Sequence, residues 1–191
     1  SGVYSINVAL VGTELPGSGT SVTIQPASAS TTTSYAYGSA LSGGIAGVPL
    51  VFAIQAKDAF GNNRNNGSEA FDVTIDPSVA SVQLIDQHTG SYRVSYKGTD
   101  AGDYSSSVKL GGVHITGSPF DARLLPSNES ASMCIAYGAG LQSAVAGVEA
   151  SFIIQARDKF GNNKTSSNDQ FMVKLTHSSM QVFDARVEST Q

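Results

Sequence analysis

Asp58-Ala59-Phe60-Gly61-Asn62-Asn63-Arg64 returns further along the chain as Asp158-Lys159-Phe160-Gly161-Asn162-Asn163-Lys164, displaced by about 100 residues. Working outward from this pair, residues 37–73 recur at 137–173 without a gap. Ala46-Gly47-Val48 meets Ala146-Gly147-Val148, Phe52 meets Phe152, and Ile54-Gln55-Ala56 meets Ile154-Gln155-Ala156. The same displacement joins Gly2-Val3-Tyr4-Ser5 to Gly102-Asp103-Tyr104-Ser105, Val8 to Val108, Leu10 to Leu110 and Pro26 to Pro126. The chain therefore carries three copies of one unit. Residues 1–27 read as the closing part of a first copy, 28–127 as a whole second copy and 128–191 as the opening part of a third. A period of about 100 residues has the size of an Ig-like sandwich and exceeds that of helical solenoid repeats.

Patterning inside the copy selects strands. Phe71, Val73 and Ile75 alternate with Ala70, Asp72 and Thr74, and Tyr92, Val94 and Tyr96 alternate with Arg93 and Ser95. Residues 51–56 and 104–110 alternate less cleanly. Period two is the signature of half-buried strands, and no segment sustains a capped 3.6-residue apolar stripe. Turn signals such as Asn66-Gly67, Asp76-Pro77, Lys97-Gly98 and Gly111-Gly112 separate the runs. The expectation is all-β: Ig-like antiparallel β-sandwich repeats in tandem, about seven strands each, one complete repeat flanked by two partial ones.

Composition narrows the function. Charged residues make up 14% of the chain, against about 25% in an average soluble protein. Net charge is −4 and the Lys and Arg residues stand singly, which argues against nucleic acid. The longest apolar stretch, residues 48–56, is too short to insert in a membrane. The chain opens on Ser-Gly, without a secretory signal, and reads as beginning inside a domain. A single cysteine, Cys134, excludes an intrachain disulfide, and with no Trp the antibody-type Cys-Trp-Cys domain is excluded as well.

No catalytic constellation is found. His88, His114 and His177 lie far apart and none recurs at the repeat spacing, whereas a metal or catalytic His comes with spaced partners. Cys134 stands where the complete copy has Ser34 and reads as a small core residue. No nucleophile elbow or phosphate loop is present. The reading is a non-enzyme with no cofactor and no metal.

Other residues suggest binding. Asp58 with Asn62 and Asn63 places oxygen ligands in one loop, a calcium-like grouping, but with one carboxylate where calcium loops use several. An Asx turn explains the same residues without an ion. Asn66, Asn128 and Asn163 head Asn-x-Ser/Thr triplets and are candidate glycosylation acceptors.

Several motifs, taken in order, resemble a filamin-type Ig repeat, and the resemblance covers essentially the whole chain. They are Asp100-Ala101-Gly102-Asp103-Tyr104, Val108-Lys109-Leu110, Ile115-Thr116-Gly117-Ser118-Pro119-Phe120, Tyr137-Gly138-Ala139-Gly140-Leu141 with Ala146-Gly147, and the turn and strand at 86–96. Two departures stand out. Gly17-Ser18-Gly19-Thr20 replaces Gly-Ser-Pro-Phe in the first copy, and the Phe-Gly-Asn-Asn turns are more similar to repeats of protist, algal and plant proteins, gamete-surface adhesion proteins among them. The family's actin-binding module is a separate helical domain that nothing here resembles.

The resemblance implies partner peptides adding as an extra strand beside the strand around 71–75, with Ala70, Asp72 and Thr74 on one face and Val82 and Leu84 on the facing strand. The functional expectation is a structural spacer and protein-binding module, in cell adhesion or cytoskeletal scaffolding. The alternative is a calcium-dependent extracellular adhesion module using Asp58, Asn62 and Asn63. Low charge and the acceptor sites favour a cell surface, and the family favours the cytoplasm. The partial copies at both ends also suggest head-to-tail self-association through their open edges.

Overall fold

A computed structural model describes residues 1–165 and 169–188. The chain divides into two compact units, one of residues 1–44, 49–97 and 103–123, the other of 45–48, 98–102 and 124–191. Among the described residues no helix is long and apolar enough to cross a membrane.

The first unit opens with β1 (Gly2–Ile6), β2 (Ala9–Leu10), β3 (Thr13–Glu14) and β4 (Thr20–Ile24). β1 pairs antiparallel with β4, and β2 with β3. Then follow β5 (Tyr35–Tyr37), β6 (Gly43–Ile45), β7 (Leu50–Gln55), β8 (Phe71–Asp76), β9 (Val82–Asp86), β10 (Ser91–Tyr96), β11 (Gly102–Leu110), β12 (Val113–His114) and β13 (Phe120–Leu125). One sheet runs β5-β7-β10-β9 and the other β12-β11-β13-β6, with β8 on the far side of β11. This is the two-sheet Ig-like sandwich expected from the alternation.

The period-two sequences place the core. Leu50, Phe52 and Ile54 of β7 are buried, as are Tyr92, Val94 and Tyr96 of the neighbouring β10. Phe52 meets Tyr96 edge-on at 6.4 Å and Phe71 meets Tyr92 at 4.8 Å, the arrangement that ring quadrupoles favour. Each such side chain removed from water contributes roughly 1.5–3 kcal/mol. The Tyr96 hydroxyl donates to the Ala40 carbonyl at 2.7 Å, so its polar end is satisfied where it is buried.

The complete copy has nine strand segments where alternation predicts about seven. The opening strand is split, because a 3₁₀ turn at Ser39–Leu41 carries the chain from β5 in one sheet to β6 in the other. Gly43 makes the crossing possible. Its φ is +123°, and a Cβ there would stand 2.0 Å from the Arg123 carbonyl oxygen.

The partial copies use the same residues with less cover. Tyr4 of β1 is 49% exposed, whereas Tyr104, its counterpart in the complete copy, is 7% exposed. Residues 1–27 hold no counterparts of β7 and β10. In the second unit β14 (Ile135–Tyr137) pairs with β15 (Ile153–Gln155), and β16 (Lys174–Thr176) with β17 (Val182–Asp184).

Candidate functional site

Two features organise the candidate surfaces: the repeated turn and an open sheet edge. In the turn, Asp58 is buried and its carboxylate accepts only N–H groups. Oδ1 receives the backbone N–H of Phe60 at 3.0 Å and of Asn62 at 2.9 Å, and Oδ2 receives Ala27 N–H at 3.0 Å and Asn62 Nδ2 at 2.9 Å. Asp158 repeats the pattern with Phe160, Asn162 and Ser127. Burial works to raise the Asp58 carboxyl. The Asn62 side chain and the N–H groups of Ala27, Asn62 and Phe60 outweigh it and bring the pKa down to about 2. Asp158 is lowered against the same burial by the equivalent bonds.

This donor set is the inverse of a calcium loop, in which oxygen lone pairs converge on a vacant centre. A cation would have to displace N–H donors that already satisfy both oxygens. Millimolar calcium is therefore expected to leave the melting temperature where chelator leaves it, since a ligand stabilises only by binding the native state. Differential scanning fluorimetry checks this, and a calcium-dependent rise that Asp58→Ala removes would restore the ion reading.

The other polar candidates are separate from one another. His114 Nδ1 bonds Ser118 Oγ at 2.9 Å, His177 Nδ1 bonds Ser179 Oγ at 2.8 Å, and His88 lies exposed beside Asp86. Among the described residues no cluster of three or more His, Cys, Asp or Glu is placed to hold a metal. Ser34 Oγ accepts the Lys57 N–H at 3.0 Å, and Cys134 Sγ accepts the Arg157 N–H at 3.3 Å. The two residues fill one structural role in two copies. Asn66, Asn128 and Asn163 are all exposed.

The edge lies where β8 ends one sheet and β9 ends the other. Phe71 and Ile75 are buried while Asp72 and Thr74 face solvent, as the alternation predicts. Ala70 is exposed as well. Leu84 of β9 stands opposite Val94 and Val82 opposite Tyr96. Cross-strand partners share a sheet face, so both β9 side chains lie on the inner face with buried neighbours. Leu84 nevertheless remains 37% exposed. The inner face is thus incompletely covered at this edge, which leaves an apolar strip beside β8.

Register decides which peptide groups of β8 are free. Gly111 N donates to Ala70 O, and Val108 N turns the other way to Ser118 Oγ. Since Leu110 pairs with Phe71 and Ser107 with Thr74, Asp72 and Thr74 use their N–H groups on β11. Val73 and Ile75 turn theirs to the open side, while the Phe71 N–H is taken up by the Glu69 carbonyl at 2.9 Å. The side chains that face solvent and the amides that face the open edge therefore belong to different residues, a distinction alternation alone cannot supply.

Comparison with known proteins agrees with the fold. A family model described as Filamin/ABP280 repeat matches residues 28–121 and 128–191. Filamin-C of Rattus norvegicus is 32% identical over 159 residues, covering 82% of this chain and 6% of its own length. Filamin-A of Drosophila melanogaster is 35% identical over 89 residues, 47% of this chain and 4% of its own. Among solved structures, the Escherichia coli adhesin FdeC superposes with a TM-score of 0.63 at 15% identity, over 94% of this chain and 58% of that one; at that identity the likeness concerns the fold. The chain spans only a small part of the curated relatives it matches.

Proposed function

Because the chain belongs to the Filamin/ABP280 repeat family, we propose that it is a structural, protein-binding repeat module whose β8 edge takes a partner peptide as an added strand. The copies are assigned to 1–27, 28–127 and 128–191, the middle one holding the complete edge. What carries this reading is the combination at that edge: peptide N–H groups of Val73 and Ile75 turned to the open side beside the half-covered Leu84. The main chain supplies affinity by hydrogen bonding, and alternate apolar side chains of the peptide rest on Val73 and Leu84. Asp72 and Thr74 border the outer side, and Ala70 and Val82 mark its two ends.

A proline pair tests the edge. Val73→Pro removes an N–H that points to the open side, so it is expected to weaken a captured partner at least about tenfold while the fold persists. Thr74→Pro removes a bond to β11 and is expected to cost about 2 kcal/mol of stability. Titration calorimetry with the partner peptide and urea melts separate the two. Equal affinity of folded Val73→Pro and wild type would remove the site.

Cell adhesion is the setting we assign to the module, on the exposure of Asn66, Asn128 and Asn163, each at the head of an acceptor triplet. Secretion from a eukaryotic host is expected to add glycans that an endoglycosidase removes, read as a gel shift. A secreted chain without glycan at any of the three positions favours the cytoskeletal setting.

A further inference from the structure

The geometry points to a second interaction surface, in which the Asp-x-Phe-Gly-Asn turn of one repeat docks onto two loops of the repeat preceding it in sequence. Its parts exceed what a turn requires. The turn is closed by the Asp158 carboxylate, which accepts the backbone N–H groups of Phe160 and Asn162, and by main-chain bonds from Asp158 N–H to Asn162 O and from Gly161 N–H to Asp158 O. The Phe160 ring and the Asn162 Oδ1 add nothing to that closure, yet both are engaged elsewhere.

In the second unit, Asn162 Oδ1 accepts the Ala101 N–H at 2.8 Å and its Nδ2 donates to Thr99 O at 2.8 Å. A further bond from Nδ2 to Asp158 Oδ2 at 2.8 Å fixes the amide's orientation. One side-chain amide thus satisfies peptide groups on both sides of Asp100, independent of what side chains that loop carries. Beside it the Phe160 ring covers Gly47, where a Cβ would stand 2.3 Å from two ring carbons. Gly47 also has φ +79°, so glycine suits the position twice over. The linker is held from the same turn, because Ser127 N–H donates to Asp158 at 2.9 Å and Lys164 Nζ to the Ser127 carbonyl at 3.3 Å.

The first unit repeats the arrangement with different residues. Ser1 N, one repeat before Ala101, donates to Asn62 Oδ1 at 2.6 Å, Ala27 N–H donates to Asp58, and Arg64 reaches the Ala27 carbonyl at 2.7 Å. One part differs. Phe60 is 83% exposed where Phe160 is partly covered. The ring is therefore a contact element whose burial depends on the neighbour and not on its own repeat. The partner it fits is an Ig-like repeat with an Ala-Gly-Val turn, glycine in the left-handed region, and a loop offering one N–H and one carbonyl two residues apart.

Amide hydrogen exchange on the 191-residue chain tests the docking. Asn162→Ala is expected to speed exchange at Ala101 at least about tenfold while Phe52 and Val94 amides keep their wild-type rates. Phe160→Ala is expected to speed exchange at Gly47, whose N–H donates to Gly98 O, and Phe60→Ala to change neither. Continued protection at Ser130 and Gln155 shows that the third copy stays folded. Should Asn162→Ala lose that protection, Phe160→Ala, which leaves every Asp158 bond in place, decides alone. Unchanged Ala101 and Gly47 rates in the folded variants, or an equal response to Phe60→Ala, would overturn the proposal.

Discussion

Phe52→Ala is expected to destabilise the complete repeat by about 4 kcal/mol, the range of aromatic-to-alanine changes in packed cores. The ring is 2% exposed and meets Tyr96 edge-on at 6.4 Å. Its removal forfeits buried area, the ring–ring contact and close packing beside Gly38, where a Cβ would already lie 3.2 Å from Phe52 Cβ. For a domain of this size the melting temperature falls by about 15 °C or more. The same substitution at Phe152, its counterpart one repeat further on but only half-buried, is expected to cost less than half as much. Thermal melts of the two variants followed by circular dichroism provide the comparison. Equal losses would mean that the third copy is packed as tightly as the second.

That contrast marks how far the sequence can be read. Repeat spacing and period-two alternation are local signals, and they located strands around 51–56, 71–75 and 92–96, which the structure places at 50–55, 71–76 and 91–96, and the buried side of β8. At residues 51–56 the signal was weaker because Val51 is apolar yet faces outward. The division of the opening strand between two sheets was not legible, since it depends on how close Gly43 comes to Arg123, 80 residues on. Nor was the direction of the β8 amides, which depends on register with β11 and flips with a one-residue slip.

The repeated turn was legible as an Asx turn from the Asn that follows Gly, whereas in the structure the Asp58 carboxylate accepts the turn's N–H groups. The second role of its asparagine was not legible, because Asn62 and Asn162 bond groups 61 positions away. One clue was available. Phe and Asn recur unchanged at both turns, while the Gly-Ser-Pro-Phe turn has diverged to Gly17-Ser18-Gly19-Thr20 in the first copy.

Asp58→Asn is expected to lower the melting temperature near neutral pH by on the order of 10 °C, because several N–H donors lose a charged acceptor in a buried site. The substitution keeps the shape, so packing loss does not confuse the reading. The acid limb supplies the decisive comparison. Asp58 titrates at about 2 in the folded chain against an ordinary value of 3.8. A carboxyl with a lowered folded pKa contributes stability that is fully present above its unfolded value and disappears as pH falls through the folded one. The advantage of wild type over Asp58→Asn should therefore stay constant from neutral pH to about pH 5, shrink between about pH 4 and pH 2, and vanish below. Asp158 is lowered by the same bonds, so Asp158→Asn should behave alike in its own repeat, and the double variant should flatten that limb further. Asp169, raised by burial, titrates in the opposite sense and is common to all the chains compared, so it cancels in the difference. Melting curves of wild type and variants across that pH range measure the difference directly. If the gap between wild type and Asp58→Asn held its full size at about pH 2, the Asp58 charge would not be what holds the turn, and the hydrogen bonds would act through shape alone.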